Sequence, residues 1–445
     1  MKRVALNLFL LASLLVSAAG AQAPDATEAI KPFVNEFTVA VARVDLGAIN
    51  FDALDRWSGQ VLDAAQFDQN ERAEVEKDLK QTLTQARQWS ADFKKAGGGT
   101  VWVVFSLESL PDAPMFMVVP TGQGANVQQI RASLAPFAPG GPDHAEILQA
   151  HNAIVIASGR GGLGWIKNLK PAPRPELAAA LSAAGDGPLQ VALIPSPDAL
   201  RVVESMAPSL PDNQPASALA RGIVWGGLAV QAPPDVSGRV IIQSPDPRSA
   251  NDLVQSLKSL ANWARQQKED AKTLKMINSV TALVDQIQTH GDRVELAVDA
   301  KQAVSVAGEI SRGLHVSRQV SARRQSAGNI RQLMLGCIMY ANDVTGNSFP
   351  NTLQQMVQQQ NIAPQVLTNP DRPNEKPGYI YVKPPEPMNK VPADRLVIYE
   401  KFTHFDGGVN VGFGDGHVEF INDEARFHKL LNDAQQKQKQ AGAQQ

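Results

Sequence analysis

Val101-Trp102-Val103-Val104-Phe105-Ser106-Leu107 is a run of β-branched and aromatic residues, and Ile223-Val224-Trp225-Gly226-Gly227-Leu228-Ala229-Val230 repeats its character further along the chain. Val224 minus Val101 and Trp225 minus Trp102 both give an offset of 123. The same shift carries Ile130 onto Leu253 and Leu134 onto Leu257, in segments whose apolar residues stand three and four apart. Such spacing belongs to amphipathic helices, and short apolar or alternating runs belong to strands. A constant offset across both kinds of element signals an internal duplication.

Outward from these runs, each half repeats one order of elements. The second members of the two strand pairs are Met115 to Val119 and Arg239 to Ile242. Upstream lie Phe37 to Val44 and Leu189 to Pro195, each leading into a helix signal, the second at Asp198 to Met206. Asn152 to Ser158 and Arg293 to Val298 close the halves. In the first half, Val75, Leu79, Leu83, Ala86 and Phe93 mark a helix that should stop at Gly97-Gly98-Gly99, after Lys94 and Lys95, whose charges suit a carboxyl end. The Pro-rich stretch Lys170 to Pro175 joins the halves. The expected fold class is α+β: two related strand-and-helix units, 24–170 and 171–310, with helices on one face of mainly antiparallel sheets. A long helix plus a small antiparallel sheet should follow over 311–430, and the Gln/Lys/Ala-rich 431–445 should form a disordered tail.

The opening residues set an expectation about compartment. Met1, Lys2 and Arg3 supply positive charge, Val4 to Val16 is mostly apolar, and Ala21-Gln22-Ala23 has the small-x-small form of a cleavage site. The run is short for a hydrocarbon core of about 30 Å, and no basic stop-transfer flank follows it. A secretory signal over 1–23 is therefore expected, with the cut after Ala23, a periplasmic or extracellular mature protein and no stable membrane span. Composition fits a folded body, at 43% hydrophobic and 19% charged with a net charge of −2. That balance offers no basic stripe to displace counterions, so nucleic acid is not an expected partner. A single cysteine, Cys337, precludes an internal disulfide, and its apolar neighbours at helical spacing predict a buried, inert thiol.

From about Ser321 the character changes. SARRQSAGNIRQLMLGCIMYANDVTGNSFP is followed by Leu367-Thr368-Asn369-Pro370, then GYIYV, VIYE and finally GGVNVGFGDGHVEFI. In this order the segments resemble the pseudopilin-like carboxyl-terminal domain of the prepilin-type processing-associated family, named for a "His, nine residues, Asp-Gly" motif. The resemblance covers roughly Ser321 to Ile421, and ten residues separate His404 from Asp415-Gly416 here. Its motif residues fall on His404, Gly408, Asn410, Asp415, Gly416 and His417. It implies a head of one helix and a small sheet, with protein partners in the envelope or at the cell surface.

The residues also carry a reading of their own. Ile330, Leu333, Met334, Cys337, Ile338 and Ala341 form one apolar helical face, and Gly346-Asn347 with Pro350 ends that helix. Val409 to Phe413 and His417 to Ile421 alternate around Gly414-Asp415-Gly416 as a hairpin, with Phe413 expected opposite Gly416.

The candidate sites reduce to two. His404, Asp406, Asp415 and His417 form a local cluster of metal-ligand types, read mainly as turn and surface residues. The sharper alternative is a calcium held by Asp415 or Asp406 with nearby carbonyls, since calcium takes oxygen ligands. Gly159-Arg160-Gly161-Gly162-Leu163-Gly164 matches G-x-G-x-x-G, but no acidic strand end follows it at the dinucleotide spacing, so a turn is expected and no cofactor. No nucleophile elbow, H-E-x-x-H helix or P-loop occurs, and the remaining histidines are scattered among polar residues. These patterns favour a non-catalytic exported structural or interaction protein. A soluble accessory of a type II secretion or pilus-like system stands second, and a metal-dependent hydrolase third.

Overall fold

The computed structural model describes residues 27–108, 115–137, 145–158, 162–196, 200–201, 219, 221–267, 271–372, 376–400 and 408–442. The expected cleavage residues Ala21 and Ala23, most of Asp198 to Met206, Gly159 to Gly161, and His404 with Asp406 lie outside the described residues. Two compact units divide the chain at Gly313 and Leu314.

The first unit is built on one ten-stranded antiparallel sheet. Its strands in chain order are β1 (Thr38–Asp45), β2 (Thr100–Ser106), β3 (Met115–Pro120), β4 (Ala145–Ala150), β5 (Ala153–Ser158), β6 (Leu189–Leu193), β7 (Trp225–Gln231), β8 (Ser237–Gln243), β9 (Gln288–His290) and β10 (Arg293–Val298). Across the sheet they run β4-β5-β3-β2-β1-β6-β7-β8-β10-β9. The order reads the same outward from the middle, with β1, β2, β3, β5 and β4 answering β6, β7, β8, β10 and β9. The two halves meet where β1 pairs antiparallel with β6, Ala42 opposite Val191. The repeated order of elements expected from the sequence is thus present in the strand order, and both halves contribute to a single sheet. Each half closes with a hairpin, β4-β5 or β9-β10, where the sequence reading placed one strand.

Helices cover both faces of this sheet, not one as expected. The cause lies in the strands, which are apolar at consecutive positions: Phe116, Met117, Val118 and Val119 are all buried, as central strands covered on both sides require. On one face lie α1 (Phe51–Ala65), α2 (Gln69–Lys95) and α3 (Val127–Leu134), enclosing Met117, Val119, Ile154 and Ile156. The other face takes a 3-10 turn at Glu28–Phe33, α4 (Gly162–Asn168) and α5 (Pro175–Ala184), which enclose Val104, Phe116, Val118 and Val155. In the second half α6 (Pro247–Arg265) and α7 (Ala271–Val284) pack on each other, and α6 lies against β9 and β10. Asp68 opens α2 with a capping box closed by Glu71, and the helix ends at Lys95 as predicted. Gly227 admits α5: a Cβ there would lie within 3.1 Å of the Ala184 methyl and drive into the Ala180 carbonyl.

The second unit takes up the helix α8 (Ala300–Asp343) beyond Gly313. It continues through α9 (Leu353–Gln359), a 3-10 turn at Pro364–Leu367, a four-stranded antiparallel sheet and α10 (Glu424–Gly442). That sheet runs β11 (Ile380–Tyr381), β12 (Leu396–Tyr399), β13 (Val409–Phe413), β14 (Val418–Ile421) in both space and sequence. Ile330, Leu333, Met334, Cys337 and Ala341 are fully buried, as the helical spacing predicts. Gly412 lets β13 approach α8, because a Cβ there would stand 2.7 Å from Ile330 and 2.8 Å from Met334. Helix α10 extends to Gly442, through the stretch whose composition suggests a disordered tail. Phe427 and Ala434 anchor it in the core with Leu430 and Leu431 beside them, and the Gln/Lys/Ala residues that follow are good helix formers.

Two expectations follow. Trp102 is 1% exposed in the centre of the shared sheet, so Trp102→Ala should cost about 3–5 kcal/mol. Residues of both halves should then lose amide-exchange protection together, since the halves share one ladder of hydrogen bonds. Burial pushes the Cys337 thiol up to about 12, so iodoacetamide should label it only above the unfolding transition.

Candidate functional site

The polar side chains that the second unit buries converge on Glu400, the residue after β12 and 1% exposed. Its Oε1 accepts from the Asn410 backbone N–H at 2.9 Å and from Asn410 Nδ2 at 2.7 Å. Its Oε2 accepts from Ser326 Oγ at 2.6 Å and Asn369 Nδ2 at 2.9 Å. Four donors thus fill the four lone-pair positions of one carboxylate. A second tier fixes their direction. Because the Ser326 proton is committed to Glu400, the Tyr379 hydroxyl donates to Ser326 Oγ at 3.2 Å, and Asn329 Nδ2 donates to Tyr379 at 3.2 Å. Asn410 Nδ2 also reaches the Arg323 carbonyl at 3.1 Å, and Asn369 Oδ1 accepts from the Asp371 N–H at 2.9 Å.

Each segment of the family-like stretch contributes a member. Ser326 and Asn329 stand on α8, Asn369 lies in the Leu-Thr-Asn-Pro loop, Tyr379 precedes β11, Glu400 closes VIYE, and Asn410 sits in β13. Gly378 holds two of these segments together, since a Cβ there would lie 2.5 Å from the Asn369 nitrogen. The sequence reading named Asn410 and missed Glu400, Ser326, Asn369 and Tyr379 as a site. One signal was present: Asn410 interrupts a strand whose five residues are all buried, and a buried amide needs a partner.

The other motif residues serve the turn and its packing. Gly408 is buried against the Phe420 ring, where a Cβ would collide. Phe413 accepts from the Gly416 N–H at 2.8 Å and donates to the His417 carbonyl at 3.0 Å, so two residues oppose one. The expected pairing of Phe413 with Gly416 alone is thus corrected to a three-residue turn with a bulge, and Gly416 takes the positive φ of 91° that this turn demands. The bulge puts Phe413 and His417 on one side, with rings stacked 4.5 Å apart. Asp415 accepts from the His417 N–H at 3.0 Å and bonds its Nδ1, and these bonds hold its carboxyl below the usual range. Asp415 and His417 are 46% and 48% exposed, and they act on each other. Among the described residues no three His, Cys, Asp or Glu side chains lie close enough to hold a metal ion, and Asp406, the other residue of the calcium expectation, lies outside them.

The G-x-G-x-x-G stretch is spent on local structure where it is described. Helix α4 has seven residues, and its first turn is met by a carboxylate, as the Leu163 N–H donates to Glu146 of β4 at 3.1 Å.

Burial pushes the Glu400 carboxyl up to about 7, opposed by the hydrogen bonds from Ser326, Asn410 and Asn369. Burial likewise lifts the Tyr379 hydroxyl to about 12. A folded carboxyl that holds its proton more tightly than the unfolded one contributes stability that is full below its ordinary 4.5 and is lost as pH rises through about 7. Urea unfolding at pH 4.5 and pH 8 should therefore show a loss on the order of 3 kcal/mol that Glu400→Gln does not share. Glu400→Ala, which strands four donors, should cost about 3–5 kcal/mol at pH 4.5 and less at pH 8, where the wild type has already lost what the buried carboxyl's proton contributes. A Gln variant with the wild-type pH slope would place the titration elsewhere. Scans of family models, of curated proteins and of solved structures each return no match to this chain.

Proposed function

We propose that this chain is an exported, non-catalytic structural or interaction protein, in which a duplicated sheet-and-helix body carries a pseudopilin-like carboxyl-terminal module. The observation that carries this reading is the closure of the Glu400 site. Both carboxylate oxygens are saturated by donors of the chain itself, at 2.6–2.9 Å. A general acid or base needs a free lone pair or proton facing a substrate. Glu400 instead ties α8, the Asn369 loop, β12 and β13 into one rigid platform, which suits a unit that works by presenting a surface. Export is supported by the order of basic residues, apolar run and Ala21-Gln22-Ala23 at the start of the chain. No helix of the described residues is long and apolar enough to cross a membrane.

The reading is tested with the full chain in its own cells. Fractionation followed by peptide mapping should find the protein outside the cytoplasm, beginning at Pro24. Cross-linking in the intact envelope should place protein contacts on residues 314–442. Recovery from the cytosol with residues 1–23 attached, or cross-links confined to the first unit, would overturn it. A pilin-like protein among the cross-linked partners would select the secretion-accessory form of the reading.

A further inference from the structure

Among the described residues of the second unit, the large apolar side chains left exposed are Leu335 at 57%, Met339 at 42% and Val344 at 50%. All three fall in the last turns of α8 or one residue beyond it. Leu335 and Met339 continue a single line along the helix, Arg324, Gly328, Arg331, Leu335, Met339, whose spacing of three and four residues keeps it on one face. That face lies opposite the buried one formed by Ile330, Leu333, Cys337 and Ala341. A Cβ added at Gly328 would meet nothing within 4 Å, so the backbone is open to close approach there.

The charge along this line is polar in the axial sense. Arg324 and Arg331 stand in its amino-terminal half, and from Ile310 to Asn342 the helix contains no acidic residue. Exposed Asp343 closes the carboxyl end, where the last carbonyls add partial negative charge. A surface that is positive at one end and negative at the other complements itself when a copy is turned end for end. With Arg324 set against Asp343 of the second copy, Gly328 falls opposite Met339 and Arg331 falls beside Leu335. The small residue then receives the large one, and each Gly328–Met339 pair is flanked by the opposed charges. A parallel arrangement would set arginine against arginine.

We propose that this face of α8 is a self-association surface on which a second copy of the same chain packs antiparallel through Leu335 and Met339, fixed in register by Arg324 and Asp343. For its use in the cell the proposal rests on the reading of this module as a protein-contact unit, but sedimentation of the pure chain tests the surface whatever the compartment or envelope partner.

Sedimentation velocity of the full chain over a wide concentration range should show a monomer–dimer equilibrium. Leu335→Glu should leave the melting curve unchanged, because the side chain is exposed, and should abolish the dimer. Arg324→Glu should weaken dimerisation about tenfold, as expected when opposed charges become like charges. Adding Asp343→Arg to that variant should restore it. A chain that is monomeric at every concentration, or a dimer insensitive to Leu335→Glu, would overturn the surface. A dimer lost with Leu335→Glu but not restored by the charge exchange would overturn the antiparallel register.

Discussion

The pairing of β1 with β6 is the constraint on which the larger unit depends. Each half of the duplicated body would otherwise end in an unpaired strand, and an exposed edge invites association with any other chain. Joining Ala40 to Leu193 through Val44 to Leu189 removes both edges at once. The pairing leaves the short hairpin strands β4 and β9 at the margins of a ten-stranded sheet. Once the middle is fixed, the consecutive apolar residues of β2, β3 and β5 must be covered on both faces. This explains why α5, which begins at the end of the Pro-rich linker, lies against Gly227 instead of standing free between two domains.

In the second unit the corresponding constraint is electrostatic. Removing a carboxylate from water is costly by several kcal/mol, and the chain offsets this with four donors from three separate segments. The balance is close, which is why burial still lifts Glu400 to about 7 against those hydrogen bonds. The charge-assisted bonds are short and directional, so they specify where α8, the Asn369 loop and β13 must lie.

The fold was legible in the sequence where the physics is local. Strands at Val101, Met115, Asn152, Ile223 and Arg293 announced themselves by apolar runs, and the helix ending at Lys95 by its cap and its glycines. The partner strands of these hairpins were missed because Gln288–His290 has only three residues, all polar, and Ala145–Ala150 does not alternate; they pair with β10 and β5 respectively. Helix α10 outran its expected end because three apolar contacts near its start hold residues whose composition alone suggests disorder. The Glu400 site was nearly invisible for a different reason. Its members lie up to 84 positions apart, from Ser326 to Asn410, and no spacing rule links a serine on a helix to an asparagine in a distant strand.

The strands of the small sheet have two to five residues each, too few for hydrophobic alternation to fix their register. β13 illustrates the difficulty, since all five of its residues are buried and a slip by one would exchange one apolar face for another at little cost. Asn410 changes that. A one-residue slip would carry its amide away from Glu400 and leave a buried carboxylate with half its donors. The penalty for an uncompensated buried charge then exceeds any gain from repacking valines. A buried ion with its donors spread over three segments is an inefficient source of stability but an effective selector of one arrangement.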